Sequence, residues 1–182
     1  IVPNKKWKKE KIGESWYAGE TLISAIGQGF VLTNPFQLVV MTSIIASDGK
    51  MIEPTIIKGN RVSFKTNEKY SKEIKIIKKA MFKVVNENKG TAFKSRLQDI
   101  KFAGKTGTSQ VRRISLSERE SDDFREKEQE WKNRDHALFV GYMPYDDPKY
   151  SISVIIEHGG SGASTAAPIA KQIFNYINEL EV

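Results

Sequence analysis

The chain has 182 residues, 39% hydrophobic and 28% charged, with a net charge of +7. That length is enough for one domain with a proper core, and the composition excludes a disordered chain. The absence of cysteine excludes disulfides, thiol catalysis and cysteine-type zinc sites, and no apolar run approaches the length of a membrane span.

In chain order, residues 1–13 are lysine-rich with Trp7 as their one large apolar anchor, and read as a loop or an incoming edge. Residues 19–29 end in Ile26-Gly27-Gln28-Gly29, where two glycines flank a glutamine and suggest a tight bend. Asn34-Pro35-Phe36-Gln37 is a helix start: Asn34 can cap, Pro35 suits the first turn, and Gln37 can reach back. The apolar run that follows, 38–46, is nearly continuous, so this helix is expected to be buried on most sides. Asp48-Gly49 ends it. Residues 51–57 look extended, and 58–70 form a connector or hairpin.

A second helix is expected over 71–88, with Ile74, Ile77, Met81 and Val84 at helical spacing and Gly90 just past its end. Residues 91–97 can hold a short helical piece. The stretch 115–135 is dense in both signs of charge and reads as a solvated helix or a mobile excursion without acid–base function. Ala137-Leu138-Phe139-Val140-Gly141-Tyr142 is a buried strand, 144–149 a turn, and 151–157 a returning strand, which makes an antiparallel hairpin. Gly159-Gly160-Ser161-Gly162 leads into a last helix striped by Ile169, Ile173, Phe174, Ile177 and Leu180, with Pro168 in its first turn.

The chemistry concentrates at Gly104-Lys105-Thr106-Gly107-Thr108. The apolar lead-in Ile100-Lys101-Phe102-Ala103 marks a strand whose far end is polar. On an extended chain Thr106 and Thr108 leave by one face and Lys105 by the other. One fixed charge, two hydroxyls and free backbone N–H groups suit a carboxylate. A phosphate-cradling P-loop would need glycine five residues before Gly104, where Asp99 stands. Lys-Thr-Gly is also the third signature of penicillin-binding proteins and serine β-lactamases.

The neighbours extend that likeness. Gly19-Glu20-Thr21, Ala25-Ile26-Gly27-Gln28-Gly29 and Asn34-Pro35-Phe36-Gln37-Leu38 come first, then Gly90-Thr91-Ala92 and Lys105-Thr106-Gly107-Thr108. Asp135-His136-Ala137, Phe139-Val140-Gly141-Tyr142 and Ala166-Ala167-Pro168-Ile169-Ala170 follow. In this order and spacing they resemble the C-terminal half of a class B penicillin-binding protein transpeptidase domain, nearest its cell-elongation branch, over nearly the whole chain. The resemblance implies an α+β fold, an antiparallel sheet with packed helices, with residues 1–182 forming the C-terminal portion of one transpeptidase domain.

The family has two further motifs, Ser-x-x-Lys with the nucleophile and Ser-x-Asn. Ser47-Asp48-Gly49-Lys50 fits the first on paper, but at a helix end where the family has a structural turn, and Gly49 spoils the second. Both motifs are therefore expected upstream of Ile1, and this piece alone is expected to be inactive. By resemblance, the full-length protein is a serine-type D,D-transpeptidase that cross-links peptidoglycan stem peptides through an acyl-serine. Lys105 and Thr108 are the implied catalytic residues: Lys105 supplies positive potential and Thr108 one oxyanion-hole N–H. Thr106 and Thr108 would bind the substrate carboxylate beside Gly107.

The implied partners are D-Ala-D-Ala stem peptides, β-lactams and cell-elongation proteins, and the implied location is the inner membrane with the catalytic domain facing the periplasm. No cofactor or metal is expected. His136 and His158 lie far apart in the sequence, follow no metal-ligand spacing, and read as structural. Two alternatives stay open: a non-catalytic penicillin-binding sensor or scaffold, and a basic nucleotide- or nucleic-acid-binding domain. The second is disfavoured because the lysines are spread along the chain without an arginine-rich helix or interleaved aromatics, so no nucleic acid is expected.

Overall fold

The computed structural model describes residues 2–57, 63–66, 70–111 and 130–181. The chain divides into two compact units, Ile1–Asn34 and Pro35–Val182.

The first unit is built around a buried cation. Helix α1 (Lys5–Lys11) stands where a loop or edge is expected from the lysine density, and Asn4 caps it by accepting the Trp7 N–H at 2.9 Å. Lys8 is the reason the lysine count misleads. It is 1% exposed, and its ammonium donates to Glu20 Oε1 at 2.6 Å and the Ser15 carbonyl at 2.8 Å, with Glu14 at 3.4 Å. Burial alone would lower the Lys8 pKa, but the hydrogen bonds to Glu20 and Glu14 outweigh it and raise it.

Glu20 is held below the usual carboxylate range by Lys8 first and by the Tyr17 N–H second, which Glu20 Oε2 accepts at 2.7 Å. That second bond opens helix α2 (Ala18–Ala25). The expected bend is thus confined to the residues just after α2, where Gly27 and Gly29 take φ of 76° and 73°.

The second unit begins with helix α3 (Pro35–Ala46), which starts at the proline as expected and gives way to left-handed Asp48 and Gly49. Its expected burial on most sides is not found. Only Thr42 and Ala46 are buried, while Phe36 and Met41 are 47% and 44% exposed. One side of α3 packs on the sheet. The other lines an apolar groove of about 510 Å³ with Val40, Ile44, Tyr70 and Ile74. A helix lying on a sheet needs only one apolar side; the rest of α3's greasy surface has no described cover.

Strands β1 (Lys50–Glu53) and β2 (Ser63–Thr66) pair antiparallel, Lys50 opposite Thr66, as the hairpin alternative expects. Residues 58–62 and 67–69 of that connector lie outside the described residues. Helix α4 (Ser71–Asn86) follows, burying Met81 and Val85.

The main sheet runs β3 (Ala103–Ser109), β4 (His136–Met143), β5 (Tyr150–Ile156), in that order and antiparallel throughout. Most of the charged stretch between β3 and β4, residues 112–129, lies outside the described residues, and Trp131–Asn133 forms a short 3-10 turn at its end. Helix α5 (Ala167–Glu181) closes the unit, with Pro168 in its first turn and a single π turn, Gly162–Ala166, leading in. One face of the sheet packs Phe102, Phe139 and Val154 against Phe174 of α5. The other packs Ala103 and Tyr142 against Ala46 of α3 and Met81 of α4. The fold is α+β, an antiparallel sheet with helices packed on it.

Candidate active site

Strand β3 is the end strand of the sheet. Its partner is β4, and among the described residues no strand pairs with its other edge. Register fixes which way each side chain leaves. Thr106 lies opposite Phe139 and Thr108 opposite Ala137, so both threonines share the face that packs on α5. Lys105 lies opposite Val140 and leaves by the other face, as expected from alternation.

Exposure then separates the three. Lys105 and Thr108 are exposed, whereas Thr106 is only 9% exposed. The Thr106 hydroxyl is 2.8 Å from the hydroxyl of Thr91, which comes from the turn after α4. The Lys105 ammonium folds over its own strand and donates to the Thr106 carbonyl at 2.5 Å. The site therefore presents a cation and a hydroxyl outward and keeps a second hydroxyl at the rim.

The glycines do different work from one another. A Cβ on Gly104 would lie 2.2 Å from the Phe139 ring and 2.8 Å from the Val140 carbonyl oxygen. The close approach at Gly104 is thus made by a core ring. At Gly107 the neighbour is Gly162: a Cβ on Gly162 would fall 2.4 Å from the Gly107 oxygen, 2.9 Å from its nitrogen and 2.3 Å from the Leu138 oxygen. Gly162 thus lets the π turn before α5 press directly on the β3–β4 backbone, whereas a Cβ on Gly107 would meet the Leu138 Cβ at 3.3 Å.

Ser47, which fits the nucleophile motif on paper, lies at a helix end as the sequence indicates. Its hydroxyl sits at the C-terminal end of α3, 2.8 Å from the Ser43 carbonyl and 3.2 Å from that of Lys50. It satisfies a helix end. The two histidines, distant in sequence, meet in space. Their ring centroids are 4.8 Å apart, His136 Nδ1 accepts the His158 N–H at 2.9 Å, and Trp131 packs on His158 at 4.4 Å. His136 stands opposite Ser109, so this cluster braces the far end of β3. No group of three or more His, Cys, Asp or Glu fit to hold a metal occurs among the described residues.

Residues 3–175 match the family described as Penicillin binding protein transpeptidase domain. The chain belongs to that family. Penicillin-binding protein 2 from Helicobacter pylori, in complex with MreC, superposes with a TM-score of 0.81 at 34% identity, over 99% of this chain and 31% of that one. Penicillin-binding protein 2 of Pseudomonas aeruginosa, in complex with WCK 5153, gives 0.71 at 30% identity, over 95% of this chain and 35% of that one. Peptidoglycan D,D-transpeptidase MrdA of Haemophilus influenzae is 32% identical over 96% of this chain and 28% of its own length. The chain spans about a third or less of these relatives.

The transpeptidase resemblance and the α+β fold stand. In this transpeptidase-family chain the structure brings Lys105, Thr106, Gly107 and Thr108 onto one strand end and adds Thr91, to which sequence reasoning assigned no role. The signal that pointed there is the hydroxyl just after Gly90 at a helix end, within a triplet already part of the likeness.

Proposed function

We propose that this chain is the part of a peptidoglycan D,D-transpeptidase that grips the substrate's terminal carboxylate. It is read as the C-terminal portion, residues 1–182, of one transpeptidase domain. The observation carrying this reading is the open edge of β3, with exposed Lys105 and Thr108 around a part-buried Thr106, in a chain of the transpeptidase family.

The attacking serine belongs to polypeptide outside these residues. Its oxygen bonds to the D-Ala-D-Ala carbonyl carbon, the terminal D-alanine leaves as an amine, and an amine of a neighbouring stem peptide then displaces the serine. Lys105 holds positive potential at the carboxylate and the serine. The hydroxyls of Thr106 and Thr108 bind the carboxylate, of a stem peptide or of a β-lactam. The Thr108 N–H is one of two donors to the developing oxyanion, and Gly107 keeps the strand slim beside the substrate. Losing one such donor elsewhere costs roughly 10²- to 10³-fold in rate.

The same reading has the protein at the inner membrane with this region facing the periplasm and the anchor in another part of the polypeptide; among the described residues no helix is long and apolar enough to cross a membrane. Elongation-machinery partners are supported by the complex of the Helicobacter pylori relative with MreC.

A fluorescent penicillin tests the reading. It should label the full-length protein covalently and leave the 182-residue piece unlabelled. Label on the piece would put the nucleophile within these residues, and a full-length protein that never labels would favour the scaffold alternative.

A further inference from the structure

The turn after α4 is built to hold one hydroxyl still. Gly90 is pressed onto the last turn of the helix so closely that a Cβ would lie 2.2 Å from the Val84 oxygen and 2.5 Å from that of Lys83. Its N–H donates to the Glu87 carbonyl at 2.8 Å, and the N–H of fully buried Ala92 donates to the Val84 carbonyl at 3.0 Å. Thr91 is thus pinned from both sides, yet it is exposed itself. Its hydroxyl sits 2.8 Å from that of Thr106.

We infer that Thr91 is a positioning residue that fixes the direction of the Thr106 proton and so makes the site select a free carboxylate. This rests on the proposed carboxylate-gripping role of β3. A threonine hydroxyl carries one proton and two lone pairs, so alone it serves an acceptor or a donor equally well. In the Thr91–Thr106 pair one proton is used between the two oxygens. When Thr91 donates, Thr106 must turn its own proton outward, and the two dipoles reinforce each other. An ionised carboxylate only accepts, so its approach selects the arrangement in which Thr91 donates and Thr106 points its proton at the ligand. An ester keeps the carbonyl but loses the charge that makes the bond strong.

The test uses the full-length protein and separates the binding constant from the acylation rate constant, for benzylpenicillin and its methyl ester. Thr91→Val should weaken benzylpenicillin binding about tenfold, leave the rate constant for acylation within about twofold, and change ester binding little. Thr91→Ser should restore binding. In a Thr106→Val background the Thr91→Val effect should vanish. Unchanged benzylpenicillin binding in Thr91→Val overturns the inference, as does equal weakening for acid and ester, or a loss that serine does not rescue. Lys105→Ala, run alongside, distinguishes the two failures. If it abolishes acylation while Thr91→Val does nothing, only the role of Thr91 falls. If it too is silent, the underlying site reading falls and the inference goes with it.

Discussion

Replacing Lys105 by alanine in the full-length protein should cut penicillin acylation by about 10²-fold or more, while the melting temperature moves by less than about 2 °C. The asymmetry follows from where the side chain sits. Lys105 is exposed on the end strand, and its ammonium donates to the carbonyl of the next residue of the same strand. Surface substitutions of that kind usually change stability by no more than about 0.5 kcal/mol. In the proposed role it is a fixed positive charge beside the threonines, which an anionic substrate would feel most strongly once water is excluded. Lys105→Arg keeps the charge but replaces a compact ammonium with a planar fork, so partial activity is expected. An alanine variant that acylates normally would remove Lys105 from the site. One that melts far lower would make it a structural residue.

The second large effect is expected at Gly162. A methyl group there meets three backbone atoms, two of Gly107 and one of Leu138, all closer than 3 Å. Backbone in a paired sheet cannot swing aside as a side-chain tip can, so the π turn must lift away from β3 and β4. Overpacking of this kind costs about 1–3 kcal/mol, and the melting temperature of Gly162→Ala should fall by about 3–10 °C. Because the strain lands on Gly107, acylation should fall as well; a displacement of about 1 Å at a reacting site can cost about 10²-fold. Calorimetry and stopped-flow acylation on the same preparation check both. A Gly162→Ala protein with unchanged melting would mean the π turn is not seated on the strand.

Much of the fold, and the placement of residues 105–108 on a strand end, was legible because it depends on local pattern. The alternation across 105–108, the short link between β4 and β5 and the proline at the start of α5 each fix geometry within a few residues. The parts that were not legible depend on partners distant in sequence. Helix α1 hides in a lysine-rich stretch because the residue that orders it, Glu20, lies twelve positions beyond Lys8. The apolar run of α3 looks like a buried helix, but composition cannot say which sides are covered. His136 and His158 meet only because the β4–β5 register returns the chain to the same end of the sheet. Thr91 reaches Thr106 through the tight turn at Gly90, and that turn is set by packing on α4. Gly104 and Gly162 illustrate the same limit: the residue type signals a close approach, but not by what.

The most direct measurement is the structure of the full-length protein acylated by a β-lactam. The ligand's carboxylate should lie about 3 Å from the hydroxyls of Thr106 and Thr108, at the open edge of β3. A carboxylate bound elsewhere, with this strand end untouched by the ligand, would contradict the account.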